Sequence, residues 1–458
     1  MVLIIFAALF ITVFFSIRPF KFHRFNLDMA SVSILSVIFL YFFKIIDFNT
    51  VRNGIMGYSD FKPYEIIIIF FTTAYASVST DITGFFDYIA YHIVRLAKGN
   101  GNRLFLYFYV FSIILTVFTS NDIVILTLTP IIFYVGKHAH INVLPLLFAE
   151  FFGANTSSML LYIGNPTNII VGNTLRITFF DYFLNMWKPA LVATLLNYIL
   201  LRFFFRKEIT REFSVIEHSE YLIRNRYDAC ISFILMAGML ISLIFSEYAG
   251  VKIYVVTTFF ALLFLIEDFI FTIYYHFAHI SHKKYGSVTK RFFRITIPEE
   301  KNDVFIITGR IPWKILPFVF SIFIFVSALN SYGFISLMAE FFTKLSINSF
   351  WAVSVMGFAA LIISNILNNQ PMTILLSNLL INPLYVVEEE TFIKSAYSLI
   401  AASNLGANLT LIGALAGVMW AGILKEKGLN IDYWSFFKTG IKVTPIVFFA
   451  VLLTILFQ

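Results

Sequence analysis

Charge is scarce in this 458-residue sequence, because Asp, Glu, Lys and Arg make up only 13% of it. A typical soluble domain carries about twice that fraction, so the composition excludes an ordinary soluble protein. Hydrophobic residues make up 59%, with 57 phenylalanines and a mean hydropathy of +0.84. This composition predicts a polytopic membrane protein whose first partner is the lipid bilayer.

Cysteine is almost absent as well. The single Cys230 excludes a disulfide framework and a thiolate metal cage. His276, His279 and His282 have a spacing typical of metal ligands but no fourth ligand, so we expect no metal site. The sequence lacks a phosphate-binding loop and the residue pairs of membrane proteases. We therefore expect no enzyme activity, no ATP hydrolysis by the chain itself and no organic cofactor.

The apolar runs are continuous over roughly 16–20 residues, which favours membrane helices over the alternating strands of a barrel. They fall near 1–17, 30–47, 64–80, 103–118, 122–136, 143–175, 187–205, 228–246, 252–275, 313–328, 350–364, 371–382, 392–424 and 440–457. We interpret the first run as a membrane span rather than a cleaved signal peptide, because it has no basic start and no small-residue cleavage site. The net charge of +7 comes from loops between these runs and does not indicate a nucleic-acid partner.

Three motifs occur twice, in the same order and about 250 residues apart. The pairs are "TGFFDYIAYHIVRLAKGNG" with "YGFISLMAEFFTKLSINS", "SND" (120–122) with "LNNQP" (367–371), and "FFGANTSSMLLYIGNPTN" with "SNLGANLTLIGALAGVMW", which share Gly-Ala-Asn. These pairs predict a duplicated unit. Residues 1–205 form the first repeat, 206–227 a cytoplasmic loop, and 228–458 the second repeat, which contains a second cytoplasmic loop at 281–310.

The orientation of the repeats follows from counting spans. We interpret the two arms around Asn121, and those around Asn368, as re-entrant hairpins that enter and leave on one side. Each repeat then has five spans, and this odd number makes the two repeats inverted. The positive-inside rule agrees, because both basic loops fall on the cytoplasmic side. This topology puts both termini outside the cell and the whole chain in the plasma membrane as a multi-pass protein.

Polar residues interrupt four apolar runs, at the two hairpin tips and in two long runs that we expect to be broken helices. Non-helical backbone at that depth must face protein or a watery cavity, and helix N-termini there can hold a ligand. A lone amide within a span usually makes a helix–helix hydrogen bond, but four clusters in two repeated pairs favour one central binding site. Its candidate residues are Thr119, Ser120, Asn121, Asp122, Asn155, Thr156, Asn165, Asn168, Asn368, Asn369, Asn404, Asn408 and Thr410.

Asp122 is the leading candidate for ion coupling. An ionisable group inside the membrane is costly and is a functional candidate by default. The repeat aligns it with Asn369, so a carboxylate that can hold H⁺ or Na⁺ is present in one half only. No Lys or Arg in the nearby runs can balance its charge. Glu150, inside a long run, is a second coupling candidate.

Other acids are weaker candidates. Asp81 and Asp87, at a span end and on an amphipathic segment, are expected to be solvated or interfacial. Glu267 and Asp268 are expected to reach the interface or to form ion pairs.

Four segments resemble a known superfamily: "FTSNDIVILTLTPII", "RIPWKILPFVFSIFIFVSALNSYGF", "ILNNQPMTILL" and "NLGANLTLIGALAGVMWAGILKEKGLNIDYWSFFKTG". They are similar to the ion transporter superfamily of arsenical pump membrane proteins, sodium/proton antiporters, citrate carriers and divalent-anion/sodium symporters. The arsenical pump type is the closest match. The resemblance implies an inverted-repeat permease with alternating access, a homodimer, and proton-coupled efflux of arsenite or antimonite, sometimes with a cytosolic ATPase subunit.

Two departures keep other substrates open. "GNPTN" at 164–168 is closer to the anion-carrier branch, whereas both hairpins lack the Ser-Asn-Thr of the sodium-coupled symporters. Citrate or another dicarboxylate, and sodium/proton antiport, therefore remain the alternatives. Arsenite is mostly an uncharged trihydroxide at neutral pH, so a site for it here has to be built from hydroxyls and amides. An anion would need Lys, Arg or helix N-termini.

Overall fold

Helices dominate the structure, which is a computed structural model that describes residues 1–17, 20–22, 25–57, 62–139, 141–209, 212–213, 226–246, 248–285, 303–429 and 431–458. Among these residues, the only sheet is a short antiparallel hairpin near the N-terminus. The prediction of an all-α polytopic membrane protein is confirmed.

The elements of the N-terminal half are α1 (Val2–Ile17), β1 (Phe20–Phe22), β2 (Phe25–Leu27), α2 (Met29–Phe42), α3 (Phe48–Met56), α4 (Pro63–Ile82), α5 (Phe85–Leu96), α6 (Gly101–Phe118), α7 (Asn121–Ala139), α8 (Leu144–Ser157), a 3₁₀ turn (Ser158–Leu160), α9 (Pro166–Thr174) and α10 (Phe179–Phe204). Those of the C-terminal half are α11 (Arg226–Phe245), α12 (Ile253–Tyr285), α13 (Asp303–Arg310), α14 (Ile315–Ser331), α15 (Phe334–Leu345), α16 (Ser349–Leu367), α17 (Asn369–Leu380), α18 (Glu389–Leu405), a 3₁₀ turn (Gly406–Asn408), α19 (Leu415–Glu426) and α20 (Tyr433–Leu456).

Eight helical stretches of the described chain are long and apolar enough to cross a membrane. They are α4, α6, α10, the part of α11 from Tyr227, α12 up to Tyr274, Val304–Ser331, α16 and α20. Shorter apolar helices add α1, α2, the start of α7 and most of α19. The chain is therefore a multi-pass membrane protein.

Both long polar-interrupted runs are broken helices, as predicted. α8 tightens into a 3₁₀ turn, the chain is non-helical at 161–165, and Pro166 then opens α9. Proline suits that position because the first helical residue has no intrahelical use for its N–H. In the other half, α18 tightens into its own 3₁₀ turn before α19 begins.

The two halves repeat the same order of elements, which supports the predicted duplication. Gly84 and Gly333 have φ of 77° and 74° and open α5 and α15 respectively. A two-helix unit, a broken helix and a long last helix then follow in each half. The inverted orientation, the re-entrant depth of the α6–α7 and α16–α17 units and the side of each loop stay predictions.

One part of the predicted alignment is wrong. The shared Gly-Ala-Asn letters predict that 153–155 and 406–408 are equivalent. The structure places 406–408 in the 3₁₀ turn itself, whereas 153–155 lie in the last turns of α8, just before the corresponding break. Matching the 3₁₀ turns instead makes Ser403 the counterpart of Asn155, and Asn404 that of Thr156.

The predicted loop at 281–310 is helical at both ends. α12 continues to Tyr285, and α13 covers Asp303–Arg310. Residues 286–302 lie outside the described chain, as do most of those between α10 and α11.

Candidate functional site

The tips of the two hairpins are tied to the broken helices by equivalent backbone bonds. The first N–H groups of a helix lack intrahelical acceptors. At the start of α7, the N–H of Asn121 donates to the carbonyl of Gly164 over 3.2 Å. At the start of α17, the N–H of Asn369 donates to the carbonyl of Gly413 over 3.0 Å. The non-helical segment of each broken helix therefore lies against a hairpin tip.

Glycine is required at both acceptor positions because the backbone is packed on itself there. A Cβ on Gly164 would lie 2.4 Å from the carbonyl oxygen of Ser158, and one on Gly413 would lie 2.5 Å from that of Gly406. Any side chain would push the non-helical segment away from the turn that precedes it.

These bonds also correct the predicted partner of Asp122. Since Asn121 and Asn369 occupy the same position, the residue after each must correspond. Asp122 therefore corresponds to Gln370 in the second repeat, not to Asn369. A carboxylate is still matched by an amide, so the chemical asymmetry between the halves remains.

A chain of amides joins the two halves at the first tip. The Asn121 Nδ2 donates to Asn155 Oδ1 over 2.9 Å, and the Asn155 Nδ2 donates to Asn408 Oδ1 over 3.2 Å. The Asn408 Nδ2 in turn donates to Thr156 Oγ1 over 3.1 Å. Residues predicted from three separate segments thus meet in one network.

Asn404 is the centre of a second network that also joins the halves. Its Oδ1 accepts from Ser158 Oγ at 2.6 Å and from Asn165 Nδ2 at 2.9 Å. Its Nδ2 donates to Asn168 Oδ1 at 2.7 Å. Asn168 then donates to the carbonyls of Ser158 and Leu161, which the helix break leaves without intrahelical donors.

The remaining candidate residues lie at the edges of these two networks. Asn368, with φ of 73°, donates to the Ile412 carbonyl, and Asn369 donates to the Ser403 carbonyl. Thr410 donates to Asn365 of α16, and Thr119 bonds back to the Leu115 carbonyl in its own helix.

Burial separates the candidates into two groups. Thr119, Asn121, Asn155, Thr156, Asn165, Asn168, Asn368, Asn369, Asn404 and Asn408 are buried, whereas Ser120, Asp122 and Thr410 are partly exposed.

Several site residues were missed by the sequence reasoning. Gln370 is 3% exposed, and Asn197 of α10 donates to Thr156 Oγ1 over 2.8 Å. Ser158 and Ser403 also join the networks, Ser403 through Thr167. Gln370 adjoins a predicted cluster and could have been found; Asn197 stands alone in an apolar run and gave no signal.

Acceptor oxygens are left unpaired around this site. Asn121 Oδ1, Gln370 Oε1 and Asn197 Oδ1 are buried and accept no hydrogen bond. A buried polar atom without a partner costs free energy, so such atoms call for an explanation. Each can receive a hydrogen bond from a solute that carries O–H or N–H groups.

The two predicted coupling carboxyls have different surroundings. Asp122, in the first turn of α7, is partly exposed and makes no side-chain hydrogen bond or ion pair within the described chain. Glu150 is fully buried; its Oε1 accepts from Thr129 at 2.8 Å, and its Oε2 is unpaired. The side-chain bond of Glu150 goes to α7 and not to the amide networks, so Asp122 is the carboxyl at the tip.

Two of the weaker acid candidates are buried in the protein. Glu267 and Asp268 are each 6% exposed, and their placement at the membrane interface or in ion pairs stays a prediction. Asp268 accepts from Tyr75 at 2.8 Å and Ser79 at 2.9 Å, and Glu267 accepts from Ser232. The side chains of Asp87, His276, His279 and His282 lie outside the described set, within which no group of three ligands could hold a metal.

Two cavities lie at opposite ends of α4, and each contains an ion pair. One of about 730 Å³ adjoins α7 and holds the pair of Asp81 and Arg310, 2.9 Å apart. The other, of about 440 Å³, adjoins α9 and holds the pair of Glu65 and Lys252, also 2.9 Å apart. The hydrogen bond with Glu65 raises the pKa of Lys252. The two acids are about 24 Å apart along the helix.

Comparison with known proteins gives consistent results. The family model described as "Citrate transporter" matches residues 1–391. The arsenical pump membrane protein of Escherichia coli is 24% identical over 384 residues, 82% of each chain. That of Yersinia enterocolitica is 24% identical over 388 residues, again 82% of each. The crystal structure of the YdaH transporter of Alcanivorax borkumensis matches 100% of this chain and 96% of that one, with a TM-score of 0.55 at 11% identity, and so has the same fold.

Proposed function

Because the chain belongs to the citrate transporter family and is a secondary transporter rather than an enzyme, we propose that it exports arsenite or antimonite in exchange for protons. The substrate occupies the space between the two hairpin tips, and Asp122 carries the coupled proton. Glu150 is a second carboxyl that assists coupling from α8. The relatives named arsenical pump membrane proteins support this choice within the family.

The unpaired acceptor oxygens of Asn121 and Gln370 are the observation that favours arsenite. Neutral arsenite carries three O–H groups and donates hydrogen bonds to such oxygens. No Lys or Arg takes part in the amide networks, whereas fully ionised citrate would bring three negative charges into a buried site, at a large desolvation cost. A site of acceptors without cations therefore suits a neutral hydroxylated solute.

Asp122 suits proton coupling because its side chain is partly exposed and has no fixed partner within the described chain. A buried salt bridge would have to be broken in every cycle, at a cost of several kcal/mol. A partly exposed carboxyl at a helix N-terminus can instead gain and lose a proton as the site opens to either side.

Transport by proteoliposomes with an imposed pH gradient tests this function. Wild-type protein should accumulate arsenite against its own gradient when protons flow the other way. Asp122→Asn should bind arsenite and exchange it, but lose the pH-driven accumulation. Asp181→Asn is the matched control, since Asp181 is exposed on α10 and caps that helix with Thr178. If D122N accumulates arsenite as wild type does, the coupling role is wrong.

Anion transport is the second candidate, and a different observation favours it. Four helices, α7, α9, α17 and α19, begin around the site, and helix N-termini stabilise anions. Citrate, or sodium as the coupling ion, would then replace arsenite and the proton. Citrate uptake that saturates and depends on sodium, with no arsenite flux in the same vesicles, would establish this alternative.

The membrane location and the protein partners are also part of the proposal. We place the chain in the plasma membrane with both termini outside, as the positive-inside rule indicates. A second copy of the chain and a cytosolic ATPase subunit are the protein partners that the arsenical pump resemblance implies.

A further inference from the structure

An apolar groove of about 610 Å³ runs between α5, α6 and α11, apart from the amide networks. Phe85, Ile89, Ile93 and Leu96 form one stripe of α5 that lines it, and α6 forms the opposite wall. Leu96 is 62% exposed, and Val110 and Ile114 on α6 are 41% and 48% exposed. The groove is therefore open along its side, where a bilayer surrounds the protein.

The two ends of the groove differ in chemistry. Its inner end is closed by Phe118 and Phe233, whose rings are 5.8 Å apart, and reaches Thr119 at the hairpin tip. The other end of the groove, away from the hairpin tip, lies at the turn between α5 and α6. That turn carries Arg95, Lys98 and Arg103, all exposed, which we call the basic turn. Glu212, exposed and paired through its backbone with Asn100, is the acid that the described chain places at this turn.

The length of the groove matches one leaflet. From Leu96 to Phe85, α5 rises roughly 17 Å, and from Leu106 to Thr119, α6 rises roughly 20 Å. Half of the hydrocarbon core of a bilayer is about 15 Å. A hydrocarbon chain that starts at the basic turn would therefore end at the hairpin tip.

We propose that this groove is a binding site for an anionic phospholipid, with one acyl chain between α5 and α6 and the phosphate headgroup on the basic turn. A neutral lipid gains only the apolar contact, whereas an anionic headgroup also gains attraction to three cations. Because the acyl chain ends beside Thr119, the lipid fills space next to the tip of the first hairpin and supports its packing. This site is independent of the substrate proposed above.

Lipid retention tests the proposal directly. The full-length protein is exchanged into micelles that contain equal amounts of phosphatidylglycerol and phosphatidylcholine, repurified, and its bound lipids are counted by native mass spectrometry. We expect phosphatidylglycerol to be enriched over the supplied ratio at low salt. Arg95→Gln, Lys98→Gln and Arg103→Gln together should remove this enrichment, with each substitution lowering it by up to about fivefold. Lys438→Gln with Lys442→Gln, at a helix that does not line the groove, is the matched control and should keep it.

A second pair of variants tests the groove itself. Val110→Trp and Ile114→Trp place a large ring on the exposed rim of the groove, where folding is least affected, and should reduce the retention of both lipids. An unchanged lipid ratio in the triple Gln variant would contradict the headgroup site. Unchanged retention in both Trp variants would contradict the acyl-chain site. A change of oligomeric state in the Trp variants without a change in bound lipid would mean that a second copy of the chain covers the groove.

Discussion

Asn404→Ala is the substitution that most directly tests whether the site is built as the structure indicates. The side chain makes three hydrogen bonds to the other half of the chain, with Ser158, Asn165 and Asn168. Hydrogen bonds between membrane helices contribute on average about 0.6 kcal/mol each and at most about 1.7 kcal/mol. The variant should therefore lose about 2 kcal/mol of unfolding free energy, and no more than about 5 kcal/mol.

Denaturant titration of the detergent-solubilised protein, followed by circular dichroism, measures this loss. Asn404→Asp keeps the shape but turns the donor Nδ2 into an acceptor that faces Asn168 Oδ1, so it should destabilise at least as much. Asn185→Ala is the control, because that amide donates to the Asp181 carbonyl of its own helix; it should change stability by less than about 0.5 kcal/mol. An Asn404→Ala protein as stable as the control, with unchanged transport, would show that the two halves are not joined through Asn404.

Two further predictions concern packing and the ion pairs. Gly440→Ala places a Cβ 2.4 Å from the carbonyl oxygen of Leu409 and 2.5 Å from that of Asn408, and should cost about 1 to 3 kcal/mol. Gly422→Ala meets no atom within 4 Å and should stabilise α19 by up to about 1 kcal/mol; equal melting temperatures would contradict this packing. Asp81→Arg should slow transport by placing two cations together in the cavity beside α7, and Asp81→Arg with Arg310→Asp should restore it. The same exchange of charges at Glu65 and Lys252 tests the opposite cavity. If neither double variant regained its transport rate, a role for the ion pairs in transport would be excluded.

Much of the architecture could be read from the sequence. Scarce charge and long apolar runs predicted the membrane helices, and the polar interruptions predicted both broken helices. The resemblance to the superfamily is confirmed by the match to the citrate transporter family and by the arsenical pump relatives. These signals are local, since each depends on composition over one helix length or on the inability of a helix to continue through Pro166 and its neighbours.

The pairing of residues between the halves could not be read reliably. Identical letters favoured Asn408 as the counterpart of Asn155 and Asn369 as that of Asp122. The structure replaces them with Ser403 and Gln370, because equivalence is set by where each helix breaks and which carbonyl accepts from the neighbouring backbone, not by letter identity. The contacts of Asp268 could not be read for a related reason: its hydroxyl partners, Tyr75 and Ser79, are almost 200 positions earlier in the chain and carry no sequence signal.

The sequence by itself determined that this protein lies in a membrane, that its helices break at four polar clusters and that amides, not cations or thiols, line its centre. Only the tertiary structure decided which amides bond to one another and which buried oxygens accept no hydrogen bond. The physical reason is the distance along the chain over which each effect acts. Hydrophobic burial and helix termination act within one segment, whereas a hydrogen bond between Asn404 and Asn168 exists only after segments more than 200 residues apart have packed together.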